Sequence, residues 1–237
     1  MPAALITGGA QRIGKAIARA FANKGIDIAL HYHHSRDEAE ETAEQIRNVP
    51  VQCQLFQADL SDTGSARHLM NVVSQTFPDT QILVNNASVF KRMDYSDTDE
   101  ILFDEAINLH LKAPFFLIQQ FARLGHHGLV INMLDTKITK ELTSYMAYSL
   151  SKKSLADLTR LAAKALGPKI RVNGIAPGII LPSSDTSQTA LDRLIQRIPL
   201  KQQGQPEQIA QAAVFLWENP FITGDILYLD GGEHLSD

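Results

Sequence analysis

Residues 7–14 read TGGAQRIG, and they stand between a short apolar run at residues 3–7 and a helical pattern that extends to about residue 24. Glycines at such a junction allow positive φ angles and a close approach of the backbone to a ligand. The N–H groups at the start of the following helix suit an anion such as a diphosphate. The segment predicts a dinucleotide-binding turn, and a tight turn without a ligand is the alternative. The expected cofactor contacts are Gly8, Gly9, Gln11, Arg12, Ile13 and Gly14.

The rest of the chain repeats this alternation of strand and helix. Seven apolar β-type runs begin near residues 3, 26, 51, 82, 128, 170 and 226, with helical patterns between them. Strands that alternate with helices pair in parallel, because each crossover returns the chain to the same end of the sheet. The pattern predicts an α/β fold, with residues 1–237 forming a single doubly wound Rossmann-type domain around a seven-stranded parallel sheet.

Two segments depart from the simple alternation. A long helical pattern covers residues 99–124, and Pro114 inside it predicts a kink or a break. Residues 179–206 are polar and hold three prolines, with a short amphipathic piece in the middle. Because loops at the carboxyl edge of such a sheet carry specificity, we expect residues 179–206 to form a substrate lid.

Composition excludes several classes of partner. The 237-residue chain has a net charge of −4, and its basic residues form no run or stripe that would indicate a nucleic acid. No apolar run approaches the roughly 18 residues needed to span a bilayer, and no secretory leader is visible. The lone cysteine, Cys53, excludes a disulfide within the chain. We therefore expect a cytoplasmic protein without a membrane partner.

The end of the second strand indicates which cofactor binds. Residues 31–36 read HYHHSR and lack the carboxylate that accepts the ribose hydroxyls of NAD in this fold. A 2′-phosphate instead requires hydrogen-bond donors and positive charge, which His33, His34, Ser35 and Arg36 supply. The segment predicts NADP(H) rather than NAD(H). Histidines that merely decorate a strand end are the alternative, and a metal site is not expected because no matching Cys or carboxylate ligands accompany them.

Tyr148 and Lys152 form a candidate catalytic pair. They lie four residues apart on a predicted helix, so both side chains share one face. An ammonium beside a phenol favours the phenolate and lowers the pKa of the tyrosine from its ordinary value near 10. The pair can therefore act as a general acid, although an exposed helical pair without a role is the alternative.

These segments together resemble the short-chain dehydrogenase/reductase family. The resemblance rests on TGGAQRIG, NNAS at residues 85–88, Asn108, YSLSK at residues 148–152, RVNGIAPG and the terminal LDGG. It implies a Rossmann-type enzyme, usually a homotetramer, that moves hydride between a nicotinamide and a carbonyl or imine. It also implies that Lys152 binds the nicotinamide ribose and depresses the pKa of Tyr148, that Tyr148 transfers the proton, and that Asn108 holds a relay water. The implied cofactor contacts are Tyr148, Lys152, Asp59, Leu60, Asn85, Ala87, Pro177, Gly178 and Ile179.

One departure from the family pattern points to a subgroup. The family usually has a serine about 13 residues before the tyrosine, but this chain has Asp135. A carboxylate repels a developing oxyanion, whereas it accepts hydrogen bonds from the N–H and NH2 groups of a nitrogen heterocycle. The chain also has Arg12 in place of the middle glycine of the turn. Arg12, Asp135 and Tyr148 together form a pattern that resembles the pteridine reductases and the related dihydromonapterin and dihydrofolate reductases.

The subgroup resemblance implies a substrate site around a flat heterocycle. It implies that the pterin lies between the nicotinamide and Phe90, where offset stacking attracts it. The implied substrate contacts are Arg12, Ser88, Phe90, Asp135, Tyr145 and Tyr148. Each residue has a structural alternative: Phe90 as ordinary core, Asp135 as a helix N-cap, and Arg12 as a surface arginine at a helix start.

The leading hypothesis is an NADPH-dependent pteridine reductase that converts dihydropterins, with oxidised pterins or dihydrofolate as further candidates, to the tetrahydro form. A short-chain carbonyl reductase acting on a 3-oxoacyl thioester or a sugar ketone is the second hypothesis. A non-catalytic NADP-sensing scaffold is the third. The presence of both Tyr148 and Lys152 argues against the scaffold.

Overall fold

The computed structural model describes residues 1–181 and 187–236. Its strands are β1 (Ala3–Ile6), β2 (Asp27–Tyr32), β3 (Cys53–Gln57), β4 (Thr80–Asn85), β5 (Gly128–Met133), β6 (Ile170–Pro177) and β7 (Ile226–Leu229). Its helices are α1 (Arg12–Ala22), α2 (Arg36–Arg47), α3 (Thr63–Thr76), α4 (Glu100–Ile107), α5 (Ala113–Arg123), α6 (Met146–Leu166), α7 (Gln188–Ile195) and α8 (Pro206–Glu218).

The seven strands form one sheet in the order β3-β2-β1-β4-β5-β6-β7, and every neighbouring pair is parallel. The chain builds outward from β1 to β3, then returns to place β4 on the other side of β1. This reversal is the switch point at which ligands bind in doubly wound sheets, outside the carboxyl ends of the strands. The predicted fold class is therefore confirmed.

Helices cover both faces of the sheet and bury a separate apolar layer on each. On one face α1, α2 and α8 pack against the strands, with Phe21 and Ile17 of α1 fully buried. On the other face lie α3, α5 and α6, with Leu117 and Phe121 of α5 at the centre. The central strands β1, β2, β4, β5 and β6 are buried on both sides, which explains their largely apolar sequences, whereas the edge strands β3 and β7 are partly exposed. A sheet packed in this way holds its carboxyl edge rigidly.

The break predicted within residues 99–124 is confirmed, but its geometry differs from a proline kink. α4 ends at Ile107, and residues Asn108–Lys112 form a π turn before α5 begins. Pro114 lies in the first turn of α5, where the missing N–H breaks no helical hydrogen bond. The π turn is therefore set by other residues, and such turns occur frequently at functional sites.

The predicted lid, residues 179–206, is described on both sides of residues 182–186, which lie outside the described part of the chain. Ile180 is buried at its start and Ile198 towards its end, while α7 forms the amphipathic piece between them. The Gly204 N–H donates to the carbonyl of Ile179 at 3.0 Å, which ties the two ends together. Among the described residues, no helix is both long and apolar enough to cross a membrane.

Candidate active site

The glycine turn is braced from the neighbouring strand. The Asn86 side-chain amide donates to the carbonyls of Thr7 at 2.9 Å and Gly8 at 3.0 Å. In return, the Thr7 hydroxyl accepts from the backbone N–H of Asn86 at 2.8 Å. Gly8 has a φ of 61°, and a side chain at Gly14 would collide with the carbonyl of Gly8. The turn thus keeps its backbone bare at the start of α1, which fits a diphosphate.

Arg12 adopts a left-handed backbone conformation, with a φ of 56°. That conformation costs a residue with a Cβ about 1–2 kcal/mol, which explains why glycine is usual at this place in the turn. Its guanidinium is exposed and donates to the carbonyl of Leu181 at 3.0 Å, where the predicted lid begins. Arg12 is therefore at the surface and at a helix start, but its side chain connects the cofactor turn to the lid.

The end of β2 meets the glycine turn. The Gln11 side chain donates to the Ser35 hydroxyl at 3.2 Å, so two of the predicted cofactor residues are in direct contact. Ser35 and Arg36 stand at the beginning of α2, where helix N–H groups and a guanidinium both attract an anion. His33 approaches Asp59 to 4.0 Å, and Leu60 is buried behind it. These contacts suit a phosphorylated ribose beside an adenine.

His31 is a support for the turn that the sequence alone did not reveal. It is buried, accepts from the Gly8 N–H through Nδ1 at 3.1 Å, and therefore donates from Nε2 to the Ala58 carbonyl at 3.1 Å. Burial lowers the pKa of His31 to about 4. The neutral ring thus fixes the glycine turn relative to β3, and its two nitrogens are both occupied, as expected for a structural role.

The predicted carboxylate and phenol meet at the carboxyl edge. The Tyr148 hydroxyl, on the first turn of α6, donates to Asp135 Oδ2 at 2.7 Å. Asp135 follows β5, and its Oδ1 accepts from the backbone N–H of Lys137 at 2.8 Å, with Lys137 Nζ at 3.4 Å. Asp135 therefore also caps the short helical turn Thr136–Thr139. The capping alternative is therefore correct for Asp135, and the same side chain also accepts the Tyr148 hydroxyl.

The pKa of Tyr148 moves in the direction opposite to the expected one. Burial raises it well above the ordinary value, and the adjacent Asp135 carboxylate adds to the increase. Lys152 does not offset this, because its Nζ lies 5.8 Å from the centre of the Tyr148 ring and donates to the Met133 carbonyl at 2.8 Å. Burial also lowers the pKa of Lys152 to about 8. In this arrangement Tyr148 is a firmly protonated phenol.

Two aromatic rings, those of Phe90 and Tyr145, form a wall beside the Tyr148 phenol. Phe90 stacks on Tyr145, with ring centres 4.5 Å apart and planes inclined by 13°. It also meets Tyr148 edge-on at 4.8 Å. Phe90 remains 43% exposed, so it is not the ordinary core residue that was the alternative. Lys137 Nζ lies 5.5 Å from the centre of the Phe90 ring. A flat ring placed here would meet an aromatic surface, a phenol and a carboxylate.

Several predicted contacts lie near this centre in other roles. Ser88 is held by His110, whose Nε2 lies 3.0 Å from its hydroxyl. Asn85 donates to Asn132 at 2.8 Å, while its buried Oδ1 has no partner among the described residues. Gly178 packs so closely on Asp230 that a side chain there would collide. The Oδ1 of Asn85, unpaired in the described part of the chain, and the bare backbone of Gly178 both fit a cofactor in this cleft.

Asn108 lies at the start of the π turn between α4 and α5. Within residues 1–181 and 187–236, its side chain makes no hydrogen bond to Tyr148 or Lys152, so its relay role stays a prediction. The π turn instead directs His110 inward, with its ring 5.4 Å from that of Tyr148. Reading residues 99–124 as one α-helix hid this change of register, and no sequence signal marked His110.

The C-terminal segment anchors Asp135 from behind. Asp230 is buried just after β7, and its carboxylate accepts from the Thr136 hydroxyl at 2.7 Å. It also accepts from the N–H groups of Gly232 at 2.9 Å and His234 at 2.8 Å. Thr136 follows Asp135 directly, so these bonds fix the loop that carries the Asp135 carboxylate. The LDGG segment thus holds the loop after β5 in place.

A doubly wound sheet, a bare glycine turn and a buried Tyr–Lys pair at the carboxyl edge together define an oxidoreductase of the nicotinamide-dependent type. Consistently, a family model described as enoyl-(acyl carrier protein) reductase matches residues 8–234. The chain belongs to the short-chain dehydrogenase/reductase family.

Individual relatives differ in their substrates. The chain is 36% identical to a solved structure of FolM alternative dihydrofolate reductase 1 from Brucella suis in complex with NADP, with a TM-score of 0.94 over 99% of this chain and 96% of that one. It is 28% identical to pteridine reductase 1 of Leishmania tarentolae over 99% of this chain and 97% of that protein. It is 30% identical to a 3-oxoacyl-[acyl-carrier-protein] reductase FabG of Staphylococcus epidermidis, over 98% of both.

Comparing glycine with alanine at Arg12 separates backbone strain from the side-chain contact. We expect Arg12→Gly to be more stable than Arg12→Ala by about 1 kcal/mol, because only glycine relieves the positive φ. Urea unfolding of both variants measures the difference, and Lys201→Gly against Lys201→Ala repeats the comparison at a second residue with a φ of 47°. Both Arg12 variants should lose activity equally. An alanine variant as stable as the glycine variant would show that the turn is not strained.

His31 should make the protein less stable in acid. Its pKa is about 4 in the folded chain and 6.5 in the unfolded chain, so the unfolded state binds the proton first. The contribution of His31 to the free energy of unfolding is fully present above pH 6.5. It is lost as the pH falls from 6.5 to 4, and it amounts to about 3 kcal/mol. Urea unfolding at pH 7.5 and 4.5 should show a smaller pH effect for His31→Gln than for wild type. His126→Gln, at an exposed histidine, serves as the control.

Proposed function

We propose that this protein is an NADPH-dependent pteridine reductase, which reduces dihydropterins, and by extension oxidised pterins or dihydrofolate, to the tetrahydro form. The observation that carries the proposal is the 2.7 Å hydrogen bond from the Tyr148 hydroxyl to the Asp135 carboxylate. It stands beside the half-exposed ring of Phe90. A phenol, a carboxylate and an aromatic wall match the edge and the face of a flat nitrogen heterocycle.

Asp135 favours a heterocycle over a ketone because of what it can accept. Its two oxygens already receive the Tyr148 hydroxyl and the Lys137 N–H, with Lys137 Nζ at 3.4 Å, but a carboxylate offers about four acceptor positions. The remaining capacity can bind an N–H or NH2 donor at the edge of a pterin. A ketone oxygen gains negative charge during reduction, and a carboxylate in contact with it would raise the barrier.

The cofactor is NADP(H). The solved FolM relative is an NADP complex. In this chain Ser35 and Arg36 open α2 beside the glycine turn and supply donors and charge for a 2′-phosphate. The cofactor supplies the hydride when bound. Lys152, tethered to the Met133 carbonyl, would orient the nicotinamide ribose, while Gly178 and Asn85 would lie beside the ring.

Tyr148 provides the proton that balances the hydride. Reduction of a C=N bond places hydride on carbon and a proton on the neighbouring nitrogen. Because burial and Asp135 raise the pKa of Tyr148, the phenol carries its proton at neutral pH. It can transfer this proton to the ring nitrogen, which becomes strongly basic as hydride reaches the adjacent carbon. After transfer, the phenolate would face the Asp135 carboxylate, and this repulsion favours the recovery of a proton.

Carbonyl reduction is the second candidate. The 30% identity to the FabG relative, a 3-oxoacyl-[acyl-carrier-protein] reductase, favours it. Asp135 argues against it, since it replaces the neutral serine that polarises a carbonyl. Membership of an oxidoreductase family leaves the scaffold hypothesis without support.

A homotetramer with residues 179–206 as the substrate lid completes the proposal. The lid is supported by the contact of Arg12 with Leu181. The tetramer is supported by exposed apolar side chains on the outer face of α6, where Leu150 is 45% and Leu161 is 68% exposed. These residues are eleven positions apart, about three helical turns, so they lie on one stripe. A second copy of the chain would cover it.

A panel of substrates tests the reaction. We expect NADPH oxidation with dihydrobiopterin, dihydromonapterin or dihydrofolate, and a clear preference for NADPH over NADH. No turnover of any pterin, together with rapid reduction of a 3-oxoacyl thioester, would establish the carbonyl reductase instead. Equal or better use of NADH would contradict the assignment of the cofactor.

Two substitutions test the roles of the catalytic pair. Tyr148→Phe should lower kcat by about 10²–10⁴-fold, the usual contribution of a general acid, while NADPH affinity is retained. Asp135→Ser should reduce pterin turnover far more than NADPH affinity. Tyr95→Phe, at an exposed tyrosine, and Asp157→Asn, at an exposed carboxylate of α6, are the matched controls. If Asp135→Ser turns over pterins normally, the heterocycle argument fails.

Light scattering tests the oligomer. Wild type should have four times the chain mass of 26.2 kDa, and Leu161→Lys should give smaller species because it places a charge in the stripe. Lys164→Ala, three residues away on the exposed surface, is the control. A wild-type monomer would refute the tetramer without affecting the reaction.

A further inference from the structure

His110 is the most completely bonded buried histidine outside the cofactor turn. It lies in the π turn between α4 and α5 and is 1% exposed. Its Nε2 accepts from the backbone N–H of Val89 at 3.1 Å and lies 3.0 Å from the Ser88 hydroxyl. Its Nδ1 lies 2.9 Å from the Ser151 hydroxyl. One ring thus contacts both the segment that follows β4 and the helix that carries Tyr148.

The direction of these bonds is fixed by the one unambiguous donor. The Val89 N–H can only donate, so Nε2 is the acceptor and Nδ1 carries the hydrogen. Nδ1 therefore donates to Ser151, and the Ser151 hydroxyl donates in turn to the Tyr148 carbonyl at 2.7 Å. Burial, and then the nearby Lys152, lower the pKa of His110 well below 6.5, which keeps the ring in this neutral form. The chain of bonds has no free proton to transfer.

This series of hydrogen bonds ends, on each side, next to a side chain of the candidate site. Val89 immediately precedes Phe90, the aromatic wall, and Tyr148 provides the phenol. The two rings meet edge-on with centres 4.8 Å apart. No other described hydrogen bond connects Ser88 or Val89 to α6, whereas the Met93 N–H joins the Ser144 carbonyl farther along. The relative position of wall and phenol is therefore set through the histidine.

We propose that His110 is a positioning residue that fixes the distance between the Phe90 wall and the Tyr148 phenol, and so determines how tightly a flat substrate is held. This inference rests on the proposed function only in taking Phe90 as the surface against which the substrate lies. His110 touches neither the carboxylate nor the reacting atoms. Its effect should therefore be found in substrate KM, with a smaller effect on kcat and none on the binding of NADPH.

A set of variants measures this effect. His110→Ala should raise the KM for the dihydropterin by about 10-fold and leave the Kd of NADPH within about 2-fold, because the wall is released while the cofactor turn is intact. His110→Gln can place an amide oxygen where Nε2 stands, so it should recover most of the KM. His110→Asn is too short to reach Val89 and should not. A merely structural role predicts no difference between Gln and Asn beyond their stabilities.

A double-mutant cycle shows whether His110 acts through Phe90. If it does, His110→Ala should change KM by less than about 2-fold in the Phe90→Ala background, because the wall that it positions is absent. Thr80→Val is the control for lost stability, since it removes a buried hydrogen bond to the Phe77 carbonyl at the amino end of β4. Its KM should equal that of wild type. Additive effects of His110→Ala and Phe90→Ala would overturn the proposal.

A crystal structure of His110→Ala gives a readout that needs no substrate. The Phe90 ring should move away from Tyr148 by more than about 1 Å, the scale at which a loosely supported site loses function. An unchanged 4.8 Å separation would overturn the positioning role even if the enzyme reduces pterins. Conversely, a displaced ring in an enzyme that reduces only carbonyl compounds would uphold the role and refute the proposed function.

Discussion

The site depends on the hydrogen bond between the Tyr148 hydroxyl and the Asp135 carboxylate. It joins the loop after β5 to the first turn of α6, so it forms only when both are correctly placed on the sheet edge. It also decides the proton chemistry, since the carboxylate and burial together keep the phenol protonated. In the family to which the chain belongs, a neutral serine is usual at the position of Asp135, and the substitution changes what the edge can bind.

The surrounding structure serves to hold that pair in place. Asp230 anchors the carboxylate through Thr136, and Lys152 is held to the Met133 carbonyl. His110 connects α6 to the segment that carries Phe90. These contacts come from the ends of β4, β5 and β7 and from a π turn. A parallel sheet brings such ends to one edge, and this explains why residues such as Thr136 and Asp230, 94 positions apart, are in direct contact.

Sequence reasoning was most successful where a residue and its neighbours carry the signal. The glycine turn, the strand–helix alternation and the Tyr148–Lys152 spacing are local patterns, and the structure contains each of them. It failed where a helix changes register. Residues 99–124 read as one helical pattern with a kink or a break at Pro114, so His110 was overlooked. A π turn has no compositional signature, because it depends on packing against distant segments, here α6 and the residues after β4.

The sequence by itself determined the fold class, the position of the cofactor turn and the Tyr148–Lys152 pair, because these follow from periodicity and spacing along the chain, and its resemblance to a known family marked Asp135. Only the tertiary structure decided the pKa direction of Tyr148, the anchoring of Asp135 by Asp230 and the bonding of His31 and His110. The physical reason is that burial and hydrogen-bond partners depend on which distant segments meet, and a pKa is set by those surroundings rather than by the order of residues.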